Sequence, residues 1–247
     1  MALSFVFNSQ WIWAFCINAI LISIAQRLPL LTRSGWLHAG VLGTVLWGCL
    51  GGRGWISVVV YLLLGSFVTK IGFAKKQQAG LAEARGGSRG PENLWGSAAT
   101  GALLAILIGA NIGSQQLLLV GFAASFSAKL ADTFGSEIGK RWGRNTVLIT
   151  SLRAVPPGTD GAISLEGTLA SCIGSFLMTL TIVGLFFREI GSFGSVVFIA
   201  GIIATLFESF IGAVVQKRVN WLTNEMVNGL QTSFAAVLAI VSAFLWS

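Results

Sequence analysis

Versatile catalytic side chains are scarce in this chain. It has one histidine, three cysteines and 10% charged residues over 247 positions. His38 opens an apolar run and reads as an interfacial structural residue, so Ser–His or Cys–His catalysis has little to draw on. Cys16, Cys49 and Cys172 each fall inside apolar runs, where a lone cysteine packs as a small hydrophobe, and neither a disulfide framework nor a zinc set is suggested. No Gly-x-x-x-x-Gly-Lys-Ser/Thr occurs, nor a Gly-x-Gly-x-x-Gly in a strand-to-helix setting. The net charge of +7 comes without a basic helix or a stacking platform, which sets nucleic acid aside as a partner.

What is abundant is apolar sequence: 54% hydrophobic residues and a mean hydropathy of +0.79. A hydrocarbon core of about 30 Å takes roughly 20 helical residues to cross, and the apolar blocks approach that length. Eight spans are predicted: Phe5 to Ala25, Trp36 to Leu50, Trp55 to Phe73, Leu94 to Ile112, Leu117 to Ala131, Thr168 to Phe187, Phe193 to Val215 and Asn228 to Trp246. The expected fold is an all-α, polytopic integral membrane helix bundle forming a single domain over 1–247. The second and fifth spans are short enough to be tilted, re-entrant or shielded by neighbours. Odd-numbered connections hold about fourteen cations, Lys217 and Arg218 among them, whereas even ones hold only Arg53 and Arg188. That asymmetry predicts cytoplasmic odd loops and both termini on the opposite side. The first apolar run has no charged n-region and no Ala-x-Ala pattern, so it reads as a retained span. Glycine runs such as "GSAATG" suit close helix packing.

Two cytoplasmic segments, 70–93 and 129–167, carry the remaining chemistry. In the first, Lys75 and Lys76 read as ordinary solvated cations. Arg89, flanked by glycines in "GGSRGPE", is placed to offer its planar fork to a phosphate. The second begins with "AKLADTFGSEIGK". If it is helical, Lys129, Asp132, Ser136 and Lys140 share one face, and Thr133 and Glu137 form an adjacent stripe. Carboxylates and hydroxyls hold Mg²⁺, and amines neutralise phosphate oxygens. The plain alternative is a solvated helix end with a Glu137–Lys140 ion pair. Asp132 lies where the fifth span meets the interface, and an acid at that depth needs a partner: Lys129, a divalent cation, or both. Further on, "PPGTDGAIS" places Thr159, Asp160 and Ser164 around Gly158 and Gly161, and successive N–H groups in such a turn make an anion nest. Asp160 and Glu166 fit a metal or nucleotide role. Glu166 equally fits the acidic start of the sixth span.

The motifs "GGSRGPENLWGSAATG", "FSAKLADTFGSEIGK" and "SLRAVPPGTDGAISLEGTLAS" resemble the DUF92/TMEM19 family of integral membrane proteins, in particular its phytyl-phosphate kinase branch. The likeness extends from about Gly43 onward, with the motifs in family order. It implies transfer of the γ-phosphoryl group of a nucleoside triphosphate, CTP being expected, with Mg²⁺. The acceptor would be an isoprenyl monophosphate: phytyl phosphate, with geranylgeranyl and farnesyl phosphate as related substrates. The diphosphate product would serve tocopherol or phylloquinone synthesis. The matching positions are Arg89; Lys129, Asp132, Ser136, Glu137 and Lys140; and Gly158, Thr159, Gly161, Ser164, Glu166 and Thr168, with Asp160 where plant members carry Glu and Arg153 in the same motif. The resemblance implies catalytic roles for Lys129, Asp132, Glu137 and Lys140, a metal set of Asp132, Glu137 and Asp160, and substrate or nucleotide contacts for the rest. With no long N-terminal extension, a cyanobacterial-type plasma or thylakoid membrane is the expected location.

Three rivals remain on the sequence. A transporter or channel predicts inverted repeats, and no convincing repeat is found. A CDP-alcohol phosphotransferase predicts Asp-x-x-Asp-Gly-x-x-Ala-Arg, which is absent. A free isoprenoid-alcohol kinase of the dolichol or phytol kinase type stays open. Glu208, in "ATLFESFIG", lies mid-span and either pairs with another helix, binds water or contacts substrate.

Overall fold

The computed structural model describes residues 9–216, 219 and 221–246. The first four residues of the predicted first span, and Lys217 and Arg218 of the seventh connection, lie outside the described residues. The helices are α1 (Ser9–Ala25), α2 (Arg33–Lys70), α3 (Phe73–Gln78), α4 (Pro91–Gly109), α5 (Gln115–Trp142), α6 (Leu165–Leu185), α7 (Phe187–Ile190), α8 (Gly194–Ile211) and α9 (Asn224–Trp246). A two-residue antiparallel ribbon, β1 (Val147–Leu148) on β2 (Ala162–Ile163), closes the long loop between α5 and α6, with Val147 opposite Ile163.

Five segments are long and apolar enough to cross a membrane: Arg33–Lys70, Gln115–Trp142, Leu165–Leu185, Phe187–Gln216 and Asn224–Trp246. The first of these is folded in two. Gly51 adopts φ 68° and ψ −165°, a conformation open to glycine, and breaks the helix. Across the break the Trp47 and Trp55 rings stand 5.5 Å apart, whereas eight residues of straight helix would separate them by about 12 Å. The first arm, 33–50, contains the second predicted span, and the second arm, 52–70, holds most of the third, which was expected to reach Phe73 but ends where the helix does, at Lys70. Asn18 of α1 accepts a hydrogen bond from Trp55 Nε1 at 2.8 Å and fastens α1 to the second arm.

Helix α5 is the axis of the molecule. Its N-cap is Ser114, whose hydroxyl accepts from Leu117 N, and it runs unbroken to Gly143. The fifth span was expected to end at Ala131, where charges begin. The helix instead continues for three more turns, because those charges lie along it and face an internal cavity, so the 129–142 part of the expected loop is helix. Phe122, Phe126 and Leu130 are fully buried along it. In lipid the drive to associate comes from close packing and hydrogen bonding rather than from water exclusion, and the interfaces show both. Ser127 Oγ lies 2.9 Å from Ser175 Oγ and 3.1 Å from Thr179 Oγ1 of α6, and Gln231 of α9 donates to Ala128 O at 3.1 Å. On α6 the inward residues are Ser171, Ser175 and Thr179, while Leu169, Ile173, Phe176 and Leu180 form an exposed stripe on the opposite side. Polar inside and apolar outside is the arrangement a bilayer selects. His38 has the structural role expected of it, accepting from Trp95 Nε1 at 2.9 Å.

Candidate active site

The charged half of α5 forms one wall of a cavity of about 340 Å³. The other walls come from the second arm of α2, the segment 83–89, the start of α4, the loop 157–164, the first turns of α6, the end of α8 and the start of α9. Of the residues singled out in the sequence, Arg89, Lys129, Asp132, Ser136, Glu137, Lys140, Gly158, Thr159, Asp160, Gly161, Ser164 and Thr168 all line it. Two do not. Arg153 is exposed on the loop, where its carbonyl accepts from Leu148 N, and the Glu166 carboxylate accepts from Arg144 N at 3.4 Å. Glu166 therefore takes the helix-start alternative, as an acid in the first turn of α6.

Arg89 is placed by its backbone and by its side chain. Its N–H donates to Leu30 O and its carbonyl accepts from Thr32 N, both at 3.0 Å, while Ser88 Oγ donates to Pro29 O at 3.1 Å. Its guanidinium donates to Tyr61 OH at 2.9 Å and stands 5.3 Å from that ring's centroid. Gly65 makes room for it: a Cβ there would lie 2.6 Å from Arg89 Nη2.

Lys129 is 6% exposed, and its ammonium donates to Asp132 and, at 2.9 Å, to Asn228 Oδ1 of α9. A buried cation in such surroundings needs both partners to offset its lost hydration. The Asp132 side chain keeps 15% of its surface open to the cavity. Three turns on, Lys140 donates to Glu83 Oε1 at 2.9 Å and stands 3.6 Å from Glu137 Oε1. Partial burial pushes the Glu83 carboxyl up, and the Lys140 ammonium against it outweighs this and holds it below the usual carboxylate range.

Glu137 is the residue whose setting departs most from the expected one. It is 2% exposed and bonded to Lys76, which is itself 1% exposed and donates also to Thr69 O at 2.8 Å. Lys76 is therefore not the solvated cation expected; its partner lies sixty-one residues away, beyond any local pattern. With two ammonium groups on its carboxylate, Glu137 buttresses α3 against α5 rather than offering free oxygens. Among the described residues no three Asp, Glu, His or Cys side chains group closely enough to form a metal cluster, so Asp132, Glu137 and Asp160 share a cavity without forming one centre.

The loop 157–164 supplies backbone. Gly158 and Gly161 have φ of 82° and 75°. At Gly161 a Cβ would stand 2.5 Å from Ala213 N and Ser209 O, so only glycine lets the loop lie against the end of α8. Thr159 Oγ1 donates to Pro156 O at 2.8 Å, and the buried Ser164 hydroxyl caps α6 through Gly167 N at 3.1 Å. Glu208 reaches the same cavity from α8, with Ser209 Oγ 3.5 Å from its carboxylate. Sequence reasoning missed Tyr61, Glu83 and Asn228. An amide near a span end is a usable signal, whereas a lone tyrosine in "VVVYLLLG" looks like any packing residue.

Ion pairing takes up Lys129 with Asp132, Lys140 with Glu83 and Lys76 with Glu137. Of the other charges lining the cavity, Arg89, Asp160 and Glu208 have no ion pair among the described residues. Such a cavity cannot accept several phosphates without added positive charge, and its hard oxygen donors suit Mg²⁺, which needs only one or two carboxylates beside phosphate oxygens and water. A helical membrane protein with a polar, ion-paired cavity walled in part by a glycine-bearing loop is the class that fold and site define.

The comparisons narrow this class. Residues 16–236 match the family described as integral membrane protein DUF92, and the chain belongs to that family. It is 48% identical to an uncharacterized membrane protein of Synechocystis over 93% of this chain and 90% of the other. It is 38% identical to the Arabidopsis thaliana protein named VTE6, chloroplastic, over 95% of this chain and 72% of that one. An uncharacterized membrane protein of Methanocaldococcus jannaschii is 29% identical over 92% of this chain and 90% of the other. No solved structure matches.

Proposed function

We propose that the protein transfers the γ-phosphoryl group of a nucleoside triphosphate, CTP being the expected donor, to an isoprenyl monophosphate such as phytyl phosphate. One observation carries this reading: all three motifs that resemble the phytyl-phosphate kinase branch contribute to one cavity. Family membership and the likeness to VTE6 support it. The protein would cross the membrane eight times, by α1, both arms of α2, α4, α5, α6, α8 and α9. Its cavity would open to the cytoplasmic side of a cyanobacterial-type plasma or thylakoid membrane.

Phosphoryl transfer asks the protein chiefly for alignment and charge neutralisation. An oxygen of the acceptor monophosphate attacks the γ-phosphorus, the bond from that phosphorus to the β-bridging oxygen breaks, and the nucleoside diphosphate leaves with its electrons. The acceptor is ionised at neutral pH, so no side-chain base is required, in keeping with a chain whose single histidine bonds Trp95. Arg89, Lys129 and Lys140 neutralise phosphate oxygens, and the N–H groups of 158–164 wrap the nucleotide phosphates. Mg²⁺ would be held by Asp132 and Asp160 and, when bound, supplies charge neutralisation across the phosphate oxygens. Lipid solubility fits the acceptor, because each CH₂ of an isoprenyl tail adds about 0.8 kcal/mol to bilayer partitioning.

The test is purified protein in detergent with Mg²⁺, each of the four nucleoside triphosphates, and phytyl or geranylgeranyl phosphate, followed by product mass. The expected product is the isoprenyl diphosphate. Phosphorylation of phytol in place of phytyl phosphate would make the protein a free-alcohol kinase, and nucleotide-independent flux in liposomes without any product would make it a transporter.

A further inference from the structure

We infer that the cavity is divided: its deep end, where Tyr61, Arg89, Lys129 and Asn228 converge, takes the phosphate of the lipid acceptor, and its shallow end, at Lys140 and the loop 158–164, takes the nucleotide. This rests on the phosphotransferase reading for its two substrates, and it assigns Tyr61 and Asn228, which no motif singled out.

The division follows from α5. Lys129 and Lys140 are eleven residues apart on one unbroken helix, a rise of about 16 Å. Each amine has its own partners, Asp132 and Asn228 for Lys129 and Glu83 for Lys140, so the two cations hold separate stations along the helix, and a triphosphate in line with a monophosphate has the length to meet both. The two ends are also built from different material. The deep end is walled by long helices: Tyr61 from α2, Lys129 from α5 and Asn228 from α9, which are 4%, 6% and 6% exposed. The shallow end is walled by the segment 83–88, by the loop 157–164 and by the start of α6, with a Cβ on Gly139 of α5 lying 3.5 Å from Ser164 Oγ. A bilayer-dissolved acceptor reaches the first more readily, and a water-soluble nucleotide the second.

The groups at the deep end suit one phosphate. Lys129 has two recorded acceptors, Asp132 and Asn228, for three ammonium protons. Tyr61 accepts from Arg89 and carries a proton of its own to donate. The guanidinium, fixed over the Tyr61 ring, keeps further N–H groups for bidentate contact. Apolar residues lie at the same level: Thr205 of α8 stands 3.4 Å from Ala128 O, and Ile202 and Leu206, one turn or less to either side, line the cavity. Leu206 is 39% exposed at the outer face. A tail leaving the deep end passes these two side chains on its way to lipid.

The test measures binding apart from turnover, by ligand-dependent melting of the detergent-solubilised protein with farnesyl phosphate, farnesol and Mg–CTP. The wild type is expected to bind farnesyl phosphate at least tenfold more tightly than farnesol. Tyr61→Phe and Asn228→Ala should each weaken farnesyl phosphate about tenfold and leave CTP within twofold, and Lys140→Ala should do the reverse. Asn228→Asp, isosteric with the native amide, guards against a misfolded Ala variant and should weaken farnesyl phosphate further still. Equal losses for both ligands, losses confined to CTP in the Tyr61 and Asn228 variants, or a wild type blind to the phosphate would each overturn the assignment. An intact division without phosphoryl transfer would instead overturn the kinase reading and leave the two ends as assigned.

Discussion

Two carboxylates five residues apart on α5 have opposite surroundings. Asp132 faces the cavity with part of its surface open and one intrahelical partner, Lys129. Glu137 is turned by more than a third of a revolution and is closed in, tied to Lys76 of α3 and near Lys140. The first is free to meet a ligand. The second spends its charge on a cation that would otherwise be buried alone. Two carboxylates on the same helix are therefore left open to a cavity in one case and closed into the architecture in the other, and what separates them is the partner that arrives from elsewhere in the chain.

The largest expected effect separates the two directly. Asp132→Asn should lower kcat/KM by about a hundredfold or more, a loss near 3 kcal/mol of transition-state stabilisation, with membrane insertion unchanged and a melting temperature lowered by the loss of one Lys129 partner. Wild-type turnover in that variant would take Asp132 out of the site.

Lys76→Met tests the other carboxylate. It should destabilise the protein by about 3 kcal/mol by leaving Glu137 buried without its partner, and adding Glu137→Gln should restore much of that loss. If the double variant is no more stable than the single one, the two side chains are not coupled. Arg89→Ala comes next, with KM for the phosphorylated acceptor raised about tenfold, close to 1.4 kcal/mol, and kcat changed less. Equal kinetics with every phosphate-bearing substrate would leave Arg89 as a structural partner of Tyr61 only.

The smallest effect is a pH dependence. The Glu83 carboxyl is held below its unfolded value by Lys140, so the stability it contributes is present above the unfolded carboxylate value of about 4.3 and is lost as pH falls below it. Melting curves of the wild type and Glu83→Gln should differ slightly at pH 7 and converge near pH 3. A gap that persists at pH 3 would show that the ion pair is not its source.

The site was legible in the sequence where charged side chains interrupt apolar runs: Arg89, Asp132 and Lys140 stand out because so few others do. The apolar helices were legible for the same reason, including the two arms that meet at Gly51, and five segments are long and apolar enough to cross a membrane. A helix over Lys129 to Lys140 was legible as a condition, but its continuity with the fifth span was not, because charge normally marks the end of a span, and here the charges look inward onto a cavity that only the assembled bundle creates. Lys76 was misread because its neighbours in "AKKQQ" are those of a solvated turn, while the carboxylate that buries it comes from α5. Tyr61 and Asn228 became functional candidates only once α2 and α9 were seen beside Lys129.

The clasp that joins 29–32 to Ser88 and Arg89 gives the beginning of the chain an unexpected responsibility. A segment that lies outside the cavity acts as the mount on which a distant guanidinium is bolted.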